Sequence, residues 1–322
     1  MSTSSNGTAL VTGASSGIGA LYADRLAKRG YDLILVARNT DRLEQVAQRI
    51  RDTHHRQVRI IGADLGNPQE LRHVEELLRN ETSLTMLVNN AGFGAVTPLL
   101  DSNVDEMEAM INLNVTALMR LTYAAAPAML ARGTGTIINI ASIVAISPET
   151  LNGIYGASKA FVLAFSHSLQ HELGDKGIRV QAVLPGATAT AFWNVPGVGG
   201  HENLPQSWVM KSEEMVDAAL AGLDAGETVT IPPLQDGEEW NAWEAARRTM
   251  SQHLSTCAAG PALSPLRHVH SLLLMLQNRL RDITKAYRQA VVGVDETDSQ
   301  RKVTYLFVAE IAPQIWRAFT PV

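Results

Sequence analysis

The segment Thr12-Gly13-Ala14-Ser15-Ser16-Gly17-Ile18-Gly19 constrains this chain more than any other stretch. An apolar run over residues 8–12 leads into it, and a helical pattern over about residues 18–28 leads out of it. Glycines crowded between a strand and a helix give a tight turn with bare backbone, the signature of a strand–turn–helix unit that holds an anion. Gly13 permits the turn, Gly17 lets backbone N–H groups approach a pyrophosphate, and Gly19 lets the helix pack closely. The helix N-terminus adds partial positive charge.

The rest of the chain repeats the unit. Further strands are expected at 32–37, 58–63, 86–89, 136–140, 179–184 and 228–231, and helices near 42–51, 68–78, 103–130, 155–173 and 212–223. Strands that are apolar on both faces and alternate with helices read as a parallel sheet covered on both sides. The predicted fold class is therefore α/β, a doubly wound parallel sheet over residues 6–260. The alternation stops at Gly260, Pro261, Ser264 and Pro265. Residues 261–322 carry eight Lys/Arg against five Asp/Glu, a net +3 that leaves −8 for the preceding residues. In this extension Leu266, Val269, Leu273, Leu276, Leu280, Ile283, Tyr287 and Ala290 recur at spacings of three and four, predicting an amphipathic helix over about 265–291 with a basic outer face.

Composition excludes several classes of function. A chain with 46% hydrophobic and 18% charged residues is not disordered, and a net charge of −5 gives no global attraction to nucleic acid. The single cysteine, Cys257, suits a reducing compartment. Apolar runs such as Leu272 to Leu276 are far short of the roughly 20 residues that span a bilayer. The polar start, Met1 to Asn6, reads as no secretory signal, so a cytoplasmic protein is expected.

Three further motifs lie in order along the chain. Asn89-Asn90-Ala91-Gly92 follows the fourth strand, Ser142 stands just beyond the fifth, and Tyr155-Gly156-Ala157-Ser158-Lys159 opens a helix thirteen residues later. A tyrosine and a lysine four apart share one helix face and can act on one substrate. A phenol ordinarily near pKa 10 needs about 4 kcal/mol of preferential phenolate stabilisation to ionise near pH 7, and a neighbouring ammonium has the right sign. A serine at the carboxyl edge of the sheet can donate to a substrate oxygen.

With its TGxxxGxG, NNAG and YxxxK motifs, the chain resembles the short-chain dehydrogenase/reductase family over about residues 8–235, and that resemblance implies a Rossmann-type fold. It implies a catalytic set of Asn114, Ser142, Tyr155 and Lys159, with Asn114 helping to hold a proton-relay water beside the lysine. It implies dinucleotide contacts from Gly13, Ser15, Ser16, Gly17, Ile18 and Gly19, from Asp64 beside the adenine with the adjacent Leu65, from Asn90, Ala91 and Gly92, and from Tyr155 and Lys159. The turn Pro185-Gly186-Ala187-Thr188-Ala189-Thr190 resembles the family's PGxxxT turn, so Pro185, Gly186, Thr188 and Thr190 are assigned to the nicotinamide. Thr190 is the chosen carboxamide contact and Thr188 the competitor. The resemblance also leads to the expectation of a homodimer or homotetramer.

The second strand ends at Ala37, where enzymes that use NAD commonly place a ribose-binding acid, and continues with Arg38, whose guanidinium can grip a 2′-phosphate. NADP(H) is the expected cofactor. No metal is expected: the pairs His167/His171, His54/His55 and His268/His270 each lack an evident third ligand. Phe93, Val96, Ile143, Val144, Leu151, Phe192, Trp193, Val195, Trp208 and Met210 are candidate substrate lining, which favours a ketone or alcohol on an apolar skeleton. The expected activity is NADPH-dependent interconversion of a carbonyl and an alcohol, with Tyr155 as general acid/base. The alternative is a regulatory or scaffold protein that senses NADP(H) and acts through residues 261–322.

Overall fold

A computed structural model describes residues 5–194 and 198–255, together with residues 275, 278, 279, 281 and 282. Seven strands, β1 (Thr8–Thr12), β2 (Asp32–Ala37), β3 (Val58–Gly62), β4 (Leu84–Asn89), β5 (Gly135–Ile140), β6 (Ile178–Val183) and β7 (Val229–Thr230), form one sheet in the order β3-β2-β1-β4-β5-β6-β7. Every pairing is parallel. The strand order reverses between β1 and β4, so the carboxyl edge opens there into the crevice where open α/β sheets bind ligands.

Alternate residues of each strand feed two cores. Ala9 and Val11 of β1 with Leu33 and Leu35 of β2 pack against α1 (Gly17–Lys28), α2 (Thr40–His54) and, further along the sheet, α7 (Ser212–Asp224). Leu10 and Ile34 point the other way, into a core closed by α3 (Pro68–Asn80), α5 (Leu118–Arg132) and α6 (Gly153–Leu173). Burial on both faces is why these strands are apolar throughout instead of alternating.

Two elements depart from the expected pattern. The single long helix read over 103–130 is three pieces: α4 (Val104–Ile111), a π-helical turn over Asn112–Ala117, and α5. Helix α8 (Gly237–Ser251) was not anticipated; it has no buried residue and hence no apolar stripe to read, although Asp236 caps it and Glu238 and Glu239 occupy its first turn. The chain divides into two compact units, residues 1–235 and 236–322, which places α8 in the second. The composition change at 260–265 lies outside the described residues. So does the predicted helix over 265–291, except for Met275, Asn278, Arg279, Arg281 and Asp282, which are helical. Among the described residues, no helix is long and apolar enough to cross a membrane.

Candidate active site

The glycine turn forms at the carboxyl end of β1 because Gly13 and Gly17 adopt left-handed backbone, φ +67° and +53°. Gly19 is needed for space: a Cβ there would lie 2.4 Å from the Gly13 carbonyl oxygen and 2.5 Å from Asn90 Nδ2. Helix α1 starts at Ser16 with no side-chain cap hydrogen bond and no acidic residue in its first turn. By contrast α2, α3 and α4 each have an asparagine cap and an acid there. An open helix N-terminus facing bare glycine backbone is a cradle for an anion, which fits the pyrophosphate of a dinucleotide. Ser15, Ser16 and Ile18 belong to this turn. Arg38 follows the last residue of β2 and is exposed, where a 2′-phosphate would meet it.

Asn90 shows a role that its motif did not reveal. Its carboxamide donates to the carbonyls of Thr12 (2.9 Å) and Gly13 (3.3 Å), while Thr12 Oγ1 accepts from the backbone N–H of Asn90 and of Ala91 (both 2.9 Å). The glycine turn and the NNAG segment are thus one hydrogen-bonded body, with Thr12 as the link. Asp64 is partly engaged in shaping its own turn, accepting from Gly66 N at 2.9 Å. The Leu65 side chain is buried in the core, which leaves only its backbone for a ligand.

Tyr155, Lys159 and Ser142 converge at the carboxyl end of β5. Asn152 caps α6, accepting from the N–H groups of Ile154 (2.9 Å) and Tyr155 (3.2 Å), and so fixes the turn that presents the tyrosine. This cap was legible as an asparagine ahead of a helix but was not singled out. Ser142 stands beside the Tyr155 hydroxyl, and its Oγ accepts from Val144 N at 3.3 Å and donates to the Pro185 carbonyl at 3.4 Å. Lys159 is buried, donates to the Ile140 carbonyl at 2.9 Å, and lies 5.9 Å from the Tyr155 ring centroid.

Electrostatically, the chain alone does the opposite of what the motif suggested for the phenol. Burial pushes Tyr155 up to about 12, opposed by the polar neighbour Ser142, and burial pushes Lys159 down to about 8. Desolvation dominates, so burial keeps the phenol protonated at neutral pH.

Asn114 lies on the π-helical turn, and its side chain is locked: Oδ1 accepts from Phe93 N (3.1 Å), and Nδ2 donates to the Phe93 carbonyl (2.8 Å) and to Ser158 Oγ (3.2 Å). A Cβ on Gly92 would lie 2.8 Å from Asn114 Oδ1 and 3.6 Å from Lys159 Nζ, so Gly92 is wedged between them. Beyond β6, the Thr188 hydroxyl donates to the Gly186 carbonyl within its own turn (3.1 Å), whereas a Cβ on Gly17 would lie 3.4 Å from Thr190 Cγ2. Thr190, not Thr188, therefore faces the glycine cradle. It also accepts from Phe192 N at 3.3 Å.

Of the expected lining, Phe93, Val144, Leu151 and Phe192 cluster around Tyr155. Trp193 is buried and donates to the Thr188 carbonyl, Met210 packs against the α1–α7 side of the sheet, and Trp208 is 70% exposed. Val195 lies outside the described residues.

A doubly wound sheet with an anion cradle at the strand reversal and a Ser–Tyr–Lys cluster beside it defines a Rossmann-type dehydrogenase. The model of the short chain dehydrogenase family matches residues 7–195, and the chain belongs to that family. It is similar to the bulky-bulky ketone specific alcohol dehydrogenase of Comamonas testosteroni, at 43% identity and TM-score 0.75, covering 81% of this chain and 100% of that one. It is likewise similar to a short-chain dehydrogenase from Sphingobium yanoikuyae in complex with NADPH, at 45% identity and TM-score 0.76, covering 80% and 99%. Among curated proteins it matches 17-beta-hydroxysteroid dehydrogenase type 3 of Homo sapiens, 38% identical over 188 residues, or 57% of this chain and 60% of that protein. This chain therefore spans about three fifths of that relative's length.

Proposed function

We propose that this chain is an NADPH-dependent reductase of ketones on apolar skeletons, able to run in reverse on the corresponding secondary alcohols. The observation that carries the reading is the buried Tyr155 side chain, beside Ser142, held near Lys159 and lined by Phe93, Val144, Leu151 and Phe192. The glycine cradle and Arg38 take the diphosphate and the 2′-phosphate, while Thr190 takes the nicotinamide end. Bound NADPH supplies the reducing equivalents for the carbonyl carbon.

The residues supply the proton and the geometry. A phenol pushed up to about 12 is fully protonated at neutral pH, so Tyr155 Oη is loaded to donate its proton to the carbonyl oxygen during reduction. Ser142 Oγ–H can turn from the Pro185 carbonyl to the same oxygen and stabilise charge developing there. Lys159 supplies positive charge below pH about 8 and orients the ribose, while Asn114 holds the segment beside it. The apolar lining excludes water and gives a small carboxylate no partner. Support for the substrate class comes from the ketone named for the Comamonas relative, and for the cofactor from the Sphingobium complex. The buried Tyr–Ser–Lys arrangement, which a sensor would not need, favours this reading over a scaffold.

A panel of apolar ketones with NADPH tests it, with Tyr155→Phe as the control. Removing one hydroxyl should abolish turnover while leaving NADPH affinity nearly unchanged. A Tyr155→Phe protein that keeps most of its activity refutes the proton-donor assignment.

A further inference from the structure

We propose that Phe192 sets the size limit of the carbonyl site: its ring fills the space beside Tyr155 and Gly94 that the second large substituent of a ketone must occupy. The proposal rests on the reductase reading above and says which substrates within that class are taken.

The ring centroids of Phe192 and Tyr155 are 5.6 Å apart at an interplanar angle of 46°. On the far side the ring lies on Gly94. A Cβ built there would be 2.3 Å from Phe192 Cζ, 3.0 Å from its Cε2 and 3.2 Å from Tyr155 Cδ2. Gly94 is not among the glycines with positive φ, so its lack of a side chain serves space and not conformation. Phe192, Gly94 and Tyr155 thus leave no gap large enough for a branched or aryl substituent at that point.

Hydrogen bonds fix the backbone that carries the ring. Thr190 Oγ1 caps the turn at Phe192 N (3.3 Å), the Trp193 indole is buried and tied to the Thr188 carbonyl (3.0 Å), and Gly200 N donates to the Trp193 carbonyl (2.9 Å). Phe192 itself is only partly buried, and its ring meets Trp193 edge-on at 5.3 Å. Rotation about its χ1 therefore moves the obstruction without moving the loop. A ketone with a methyl group on this side fits with the ring in place, whereas a branched or aryl group there must displace it. Displacement breaks the ring's contacts with Tyr155 and Gly94, a cost that enters kcat/KM for the bulky ketone alone.

The test is kcat/KM at saturating NADPH for phenyl methyl ketone and phenyl isopropyl ketone. Phe192→Ala should raise the bulky-to-methyl ratio about tenfold or more, and Phe192→Leu should raise it less with the same sign. Gly94→Ala, which drives its Cβ into the ring, should impair the wild-type background, yet change the Phe192→Ala background by no more than about twofold. Matched thermal unfolding and NADPH affinity establish that the variants are folded. A wild-type enzyme that reduces ketones with a ratio unchanged by Phe192→Ala overturns the size limit and leaves the reductase reading standing. An equal Gly94→Ala effect in both backgrounds also overturns it. A wild-type protein that binds NADPH and reduces neither ketone refutes the reductase reading, and the size limit falls with it.

Discussion

Replacing Lys159 by methionine should make the ligand-free protein more stable at neutral pH, although it removes a residue of the site. Lys159 is 6% exposed, and the described hydrogen bond of its ammonium is to the Ile140 carbonyl. Burial holds it at about 8 against 10.5 for an unperturbed lysine, so between these values the unfolded chain binds a proton that the folded chain has released. Stability due to this group therefore rises with pH from 8 to 10.5, and below 8 the folded state carries the full penalty. A displacement of about 2.5 units corresponds to about 3 kcal/mol. Methionine keeps the length and the helix propensity but leaves the Ile140 carbonyl without its donor, a pH-independent loss of about 1–2 kcal/mol. The net gain at pH 7 is then about 1–2 kcal/mol. Urea unfolding of both proteins from pH 6.5 to about 10.5 reads the difference directly, since all other titrating groups are common. The wild-type curve should climb toward the variant's and cross it near the upper end. Curves that run parallel would refute the claim that desolvation of Lys159 is what lowers its pKa.

Three other perturbations follow from named contacts. Ala37→Asp with Arg38→Leu supplies a ribose-binding carboxylate and removes the guanidinium, so the ratio of kcat/KM for NADPH over NADH should fall; equal use of both by the unmodified protein would make Arg38 a surface residue. Glu75, buried on α3, bridges Arg120 of α5 and Arg79, and Glu75→Ala should cost about 1–3 kcal/mol in urea unfolding, less than a fully buried pair because both guanidiniums can return to water. A chain ending near Gly260 should still fold and bind NADPH while changing its association state or solubility; loss of cofactor binding on titration would place the extension within the catalytic domain.

How much of this was legible depends on whether the cause of each feature is local. The strands were readable to within about two residues because burial on both faces writes a continuous apolar run bounded by turns. Tyr155, Lys159 and Ser142 were readable because a helix repeat and a strand end fix their relation without knowledge of the rest. The π-helical turn at Asn112–Ala117 was not. Its backbone differs from an α-helix by one residue in the hydrogen-bond register, which apolar periodicity does not record. What marks the turn is the reciprocal pairing of Asn114 with the Phe93 backbone, made with a loop 21 residues away. Nor was the phenol's environment legible. The motif shows the ammonium but not the depth of burial, and burial raises the phenol's pKa.

The glycines of the site divide along the same line. Gly13 and Gly17 have positive φ, a demand of the turn itself, and a turn between a strand and a helix announces it. Gly19, Gly92 and Gly94 are glycine for what the fold brings against them: the Asn90 carboxamide, the Asn114 carbonyl and the Phe192 ring. The spacing of a motif records the first two of these, because both partners lie within recognisable segments. It is silent on the third, since Gly94 and Phe192 stand almost a hundred residues apart on different loops. Parts of the site whose partners lie within recognisable motifs are thus readable in one sequence. The part proposed to select among ketones is a contact between two loops at the carboxyl edge. There a substitution in either loop can alter selectivity without disturbing the sheet that aligns Tyr155, Ser142 and Lys159.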